Sequence, residues 1–156
     1  RLKNLVSFNK VAFVAIYEPF MNMNKIEGYK RYLGFQHCMT NSNGQIWCFW
    51  KGLNHTICIA NTDQQLTLNM KDTPSEIGTV VMVVYAKCTP VKREDLWDSI
   101  ANLHNQIRGP WCMGEDFNVI MDPDEKLGGL PHRMSKSMEF INCMEACGLS
   151  DISFTG

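Results

Sequence analysis

Trp111-Cys112-Met113-Gly114-Glu115-Asp116-Phe117-Asn118-Val119-Ile120 is the stretch that decides how this chain is read. An apolar run that reaches Gly114 and then presents Asp116 and Asn118 has the form of a buried strand whose last side chains leave the core, because strand side chains alternate with period two. On that pattern Asp116 and Asn118 point the same way. A carboxylate beside a carboxamide at a strand's C-terminal mouth can orient a water and hold an anionic oxygen, and in layered α/β folds ligands sit at such ends. The plainer alternative is a strand followed by an Asn-containing turn. The same alternation sends Glu115 to the side of Phe117, toward a packed interior where an unpaired carboxylate is costly.

Working upstream, residues 79–86 form the strongest strand pattern, and after Thr89-Pro90 the period becomes helical. Leu96, Ile100, Leu103 and Ile107 make one stripe, Arg93, Glu94, Asp98 and Asn102 are assigned outward, and Gly109-Pro110 closes the helix. Strand, helix and the strand at 111–115 make a crossover unit. Residues 11–16 are a continuous apolar run, read as a central strand buried on both faces. It ends in Tyr17-Glu18-Pro19-Phe20, where proline stops the strand and favours an extended Glu18. One acidic side chain then stands at the mouth of an apolar strand, or is an ordinary solvated strand end.

Between these strands, residues 26–34 suit a short helix and Asn41-Ser42-Asn43-Gly44 a hairpin turn. Segments 45–51, 56–60 and 64–70 are β-rich and read as an antiparallel meander. Downstream, Asp122-Pro123-Asp124-Glu125-Lys126-Leu127-Gly128-Gly129 is an irregular acidic loop, and a helix follows from about Ser135 to Cys147, capped by Gly148. At the start, Arg1-Leu2-Lys3-Asn4-Leu5-Val6 has the pattern of an amphipathic helix with no N-cap before it, so the chain is expected to begin inside a larger protein.

The 156 residues, 45% hydrophobic and 20% charged, suit one globular domain with a real core. A net charge of -1 gives no global basic field for nucleic acid, although a local groove of Lys and Arg can still serve. Seven cysteines form no CxxC pair, which points to reduced thiols and a nuclear or cytoplasmic setting. No apolar stretch spans a bilayer and no secretory signal opens the chain, so no membrane partner is expected. The histidines at 37, 55, 104 and 132 lack ligand spacing. Asp122, Asp124 and Glu125 do not match a Ca2+ loop. Trp47, Phe49 and Trp50 suit cross-strand packing better than stacking on bases. Cys143 and Cys147 share a helix face and are expected to pack there.

Glu18, Tyr85, Asp116 and Asn118 all fall at strand ends, and Mg2+ typically takes one or two carboxylates plus water and substrate phosphate. The segments Phe13-Val14-Ala15-Ile16-Tyr17-Glu18-Pro19-Phe20, Val84-Tyr85-Ala86, 109–118 and Glu125-Lys126-Leu127-Gly128-Gly129 resemble the endonuclease/exonuclease/phosphatase (DNase I-like) family. More narrowly, they are similar to the endonuclease domain of plant LINE-type non-LTR retrotransposons. The likeness runs from end to end of the chain, and it implies an α/β four-layer sandwich of two mixed β-sheets flanked by helices.

Carried over residue by residue, the resemblance makes Glu18 the metal-binding Glu, Asp116 the residue that orients the attacking water, Asn118 the one that positions the scissile phosphate, and Tyr85 the tyrosine near it. It implies Mg2+, with Mn2+ as a substitute, DNA as partner, and a reverse transcriptase domain downstream. The family's first strand motif, with its Asn, and its final Ser-Asp-His motif are expected before Arg1 and after Gly156, which makes residues 1–156 a partial domain. The family's usual Gly before the motif Asp is replaced by Glu115. Three readings follow: a fragment of a Mg2+-dependent endonuclease that nicks target DNA when complete, a non-catalytic remnant that at most binds nucleic acid or protein, or a family phosphatase acting on small phosphoesters. On the first, the isolated chain is expected to lack appreciable nicking.

Overall fold

The computed structural model describes residues 1–119, 137–150 and 152. The loop read at 122–129, His132 and the first residues of the last predicted helix lie outside them. The chain divides into two compact units, Arg1–Tyr85 with Arg108–Glu115, and Ala86–Ile107 with Asp116–Gly156.

The first unit holds both sheets. In one, β1 (Phe13–Tyr17) and β2 (His37–Thr40) flank β3 (Ile46–Trp50); in the other, β4 (Ile57–Asn61), β5 (Gln65–Met70), β6 (Thr79–Tyr85) and β7 (Trp111–Asp116) follow in order. The fold is a two-sheet α/β sandwich. Every pairing in the three-stranded sheet is antiparallel, so the expectation of two mixed sheets holds for only one of them. In the four-stranded sheet β4, β5 and β6 pair antiparallel. Hydrogen bonds from Val80 N to Pro110 O and from Ala86 N to Asp116 O advance together along β6 and β7, the parallel sense that a crossover connection requires.

The central apolar strand is β3, and β1 lies beside it at an edge of the three-stranded sheet. All five residues of β3 are buried, whereas all five of β1 are only half-buried, which corrects the reading of residues 11–16 as the strand covered on both faces. Alternation explains the double burial. Ile46, Cys48 and Trp50 pack between the sheets against Leu66, Leu68, Met70 and Val83, with Phe13, Ala15 and Tyr17 of β1 at the margin. Trp47 and Phe49 point the other way and pack with Val6 of α1 (Leu2–Phe8), Leu33 of α2 (Ile26–Leu33) and Phe35. Fully burying one such large apolar side chain contributes roughly 1.5–3 kcal/mol, so β3 anchors both layers. Trp47, Phe49 and Trp50 are thus core residues, as their alternation suggests.

The three β-rich segments between 45 and 70 do not form one meander. The first pairs with β1 and β2, and the other two belong to the second sheet. Asparagines join the two hairpin turns: Asn41, buried, donates from Nδ2 to Thr62 O and accepts from Ile46 N, while Asn43 Nδ2 donates to Asp63 O. Where β6 and β7 begin, a Cβ at Gly109 would lie 2.5 Å from Gly78 O, so the close approach admits only glycine.

The second unit carries α3 (Glu94–His104) and α4 (Met138–Ala146). Leu96, Ile100 and Leu103 are buried as their stripe predicts, and Trp97 joins them. Arg93 is also buried, which overturns its assignment to the outer face. It sits in a short 3-10 turn, Pro90–Arg93, ahead of α3. Trp97, Phe117 and Phe140 form an aromatic cluster, with Phe117 and Phe140 centroids 4.5 Å apart. Cys143 and Cys147 pack on α4 and at its C-cap, Cys147 buried and Cys143 half-buried. All seven cysteines are free thiols.

Candidate functional site

The four residues singled out by sequence divide between the units, Glu18 and Tyr85 in the first and Asp116 and Asn118 in the second.

In the first unit, Tyr17 closes β1 and Tyr85 closes β6, one in each sheet. By period two Tyr17 shares a face with Phe13 and Ala15, toward the inter-sheet core. Its ring meets that of Tyr85 at 6.0 Å between centroids and 33° between planes. Its hydroxyl also stands 3.6 Å from where a Cβ on Gly114 of β7 would be, so Gly114 leaves room beside the Tyr17 phenol. The C-terminal ends of β1, β6 and β7 therefore gather around Tyr17, a residue to which the sequence reading gave no role.

Glu18 follows directly. Its backbone N–H donates to Gln45 O at 2.9 Å, continuing the β1–β3 pairing by one bond, and its side chain is exposed. Its φ is +44°, in the left-handed region, which corrects the extended conformation expected before Pro19. A non-glycine residue held there costs of order 1–2 kcal/mol. Phe20, two residues on, is also left-handed at φ +52° and 89% exposed, so the strained loop continues past Pro19.

In the second unit, β7 ends at Asp116, and Asn118 lies beyond the strand with φ +50°. The two residues do not share a strand face; the Asn-containing turn is what forms. Asp116 Oδ1 accepts from Asn118 N at 3.1 Å, and Asn118 Nδ2 donates to Ala86 O at 2.6 Å. Asn tolerates the left-handed region and bonds its own neighbourhood, which is why this turn suits it. Phe117, buried between the two exposed polar residues, points into the aromatic cluster with Trp97 and Phe140. These two bonds do not consume one Asn118 side-chain N–H, its Oδ1 or the second Asp116 oxygen.

Arg93 holds this turn from beneath. Its Nη1 donates to Lys87 O at 2.9 Å and to Asn118 O at 3.4 Å. Burial lowers the guanidinium's proton affinity, and the charge of Glu139 on α4 partly offsets this. The signal for Arg93 was in its spacing: 93, 96, 100 and 103 fall on one helical stripe, and only its charge argued for the outside.

Glu115, read as pointing into the interior, is exposed, as are Gly114 and Asp116 around it. The end of β7 is open on both faces, so alternation buries Phe117 without burying Glu115. Glu115 is therefore not the buried carboxylate that alternation predicts.

Mg2+ requires hard oxygen donors and takes few from protein, one or two carboxylates with water and phosphate oxygens completing the octahedron. Glu18 fits as such a donor, exposed at a strand end and, among the described residues, in no hydrogen bond or ion pair through its side chain. Among the described residues no group of three or more His, Cys, Asp and Glu is gathered for an all-protein site. No helix among them is long and apolar enough to cross a membrane. No protein-family model and no curated protein sequence matches the chain.

Proposed function

We propose that this chain is part of a Mg2+-dependent phosphodiesterase domain of the endonuclease/exonuclease/phosphatase type, one that nicks DNA for a retrotransposon when joined to the family's remaining motifs. The observation that carries the reading is the gathering of the ends of β1, β6 and β7 around Tyr17, with Glu18 next in sequence and Asp116 two residues past Gly114. Strand ends on one rim of a sandwich are where a phosphate would meet side chains from several elements at once.

In this reading Glu18 holds the metal, and Mn2+ can replace Mg2+ there. When bound, the ion neutralises phosphodiester charge. Asp116 accepts a proton from the attacking water and aims it, with Oδ1 fixed by Asn118 N. The second N–H of Asn118 donates to a non-bridging phosphate oxygen, while the first is held by Ala86 O. Tyr85, its ring against that of Tyr17, lends its hydroxyl to phosphate. DNA is the substrate class and a reverse transcriptase domain the expected companion, both on the strength of the LINE-like segments.

The test is nicking of supercoiled plasmid in Mg2+ by a protein in which residues 1–156 stand together with the first-strand Asn and the Ser-Asp-His motif. Glu18→Ala and Asp116→Asn should each lower the rate on the order of 100-fold to 1,000-fold, with Mn2+ substituting for Mg2+ in the parent. Nicking that both variants retain would sink the assignment. Release of inorganic phosphate from small monoesters without nicking would favour the phosphatase reading. Duplex DNA bound without cleavage would favour the remnant.

A further inference from the structure

We propose that Arg93 is the positioning residue of the Asp116–Asn118 turn, the group that fixes where the Asn118 carboxamide and the Asp116 carboxylate face. The proposal rests on the reading of those two residues as phosphate- and water-facing groups.

Three separate bonds immobilise Asn118. Its side chain is tied to Ala86 O, its backbone N–H to Asp116 Oδ1, and its backbone carbonyl to Arg93 Nη1. The same Nη1 is bonded to Lys87 O, so one nitrogen bridges the segment after β6 and the segment after β7. Remove it, and the Asn118 peptide can rotate about its left-handed φ while its side chain still finds Ala86.

The energetics single out Arg93 as held for these contacts rather than for packing. It is 3% exposed, and its Nε is buried with no hydrogen-bond partner. Two backbone carbonyls accept from Arg93 Nη1, and the fields of Glu139 and Cys88 favour its charge. A buried cation answered this way is usually no more stable than an apolar side chain of similar volume. An apolar residue on the Leu96, Ile100 and Leu103 stripe would fill the space, but it could not hold the Asn118 carbonyl. Displacing a reacting group by about 1 Å can cost on the order of 100-fold in rate.

The experiment reads the turn directly. In protein labelled at asparagine, hydrogen exchange of the Asn118 backbone and side-chain amides is followed by NMR in the parent, Arg93→Met, Arg93→Lys and Ile100→Ala. Arg93→Met should speed exchange at Asn118 by about tenfold or more, the loss expected for a charge-assisted bond. Arg93→Lys should recover part of the protection, because both acceptors are met by a single nitrogen. Ile100→Ala, a buried apolar change on the same stripe, should leave Asn118 exchange at its parental level relative to neighbouring amides.

Parental protection in Arg93→Met overturns the proposal. So does equal loss in Ile100→Ala, which would assign the turn to general stability, or an Arg93→Lys no better than Arg93→Met, which would assign it to side-chain volume. In the nicking protein, Arg93→Met should lower kcat by about 10-fold to 100-fold with KM nearly unchanged. An unchanged kcat also overturns it. Absence of nicking in the parent, with the exchange pattern as expected, would remove the phosphodiesterase reading and leave Arg93 as the residue that sets the turn.

Discussion

Glu18 after β1 and Asn118 after β7 both leave a strand through the left-handed region, at φ +44° and +50°. They are built in opposite ways. Asn118 is held by three hydrogen bonds, and its neighbour Phe117 is sunk among aromatics. Glu18 has one backbone bond to Gln45 and an exposed carboxylate. A left-handed residue in the first place is the turn that asparagine chemistry favours; in the second it is strain that, among the described residues, no hydrogen bond or ion pair of the Glu18 side chain relieves. Such strain is retained where the side chain has another task.

The largest expected effect comes from removing the anchor on the bonded side. Phe117→Ala should cost about 3–5 kcal/mol, the usual range for a buried Phe, and should loosen the turn with it. A fall in urea midpoint worth under about 1 kcal/mol would show that the turn does not depend on its aromatic anchor. Next, the same substitution at both left-handed positions should act with opposite sign. Asn118→Gly removes the bond to Ala86 and relieves little strain, for a loss of about 1–2 kcal/mol. Glu18→Gly releases about 1–2 kcal/mol of strain against about 0.5–1 kcal/mol of added unfolded-state entropy, for a net gain of up to about 1.5 kcal/mol. Midpoints that move in the same direction would break the comparison. Last, Glu115→Gly should cost about 0.5–1 kcal/mol, a glycine on an exposed strand end. A clear gain in midpoint would restore the buried-carboxylate argument that the exposure of Glu115 removes.

Periodicity made the strands and helices legible, and where it failed the missing information was long-range or local in a different way. That β3 and not β1 is covered on both faces depends on pairing Phe13 with Trp50, which no local window contains. The division of the 45–70 segments between two sheets is hidden for the same reason. At the candidate site, Tyr85 and Asp116 end strands as expected, but the period was carried two residues too far at Asn118, where Asp116 captures the backbone N–H and turns the chain. The proline rule predicted an extended Glu18 and is outweighed by its bond to Gln45 and the loop that follows. The family likeness named the four site residues; nothing in it, or in composition, pointed to Tyr17 or Arg93.

The asparagines that join the two hairpin turns bear on how the protein ages. Asn43-Gly44 is the dipeptide in which a peptide nitrogen most readily attacks the preceding side-chain carbonyl, closing a succinimide that opens to aspartate or isoaspartate. Here the attacking nitrogen is engaged, with Gly44 N bonded to Asn41 O, and the Asn43 side chain is bonded to Gln45 and Asp63. The folded turn therefore shields a bond that would be labile in a free peptide. Once deamidated, residue 43 would set a carboxylate against Asp63 O and Gln45 Oε1, two acceptors that its lost N–H groups had satisfied. The tie between the hairpins would become repulsive, so chemical damage at this single position would accumulate first in molecules that had already opened, and would keep them open.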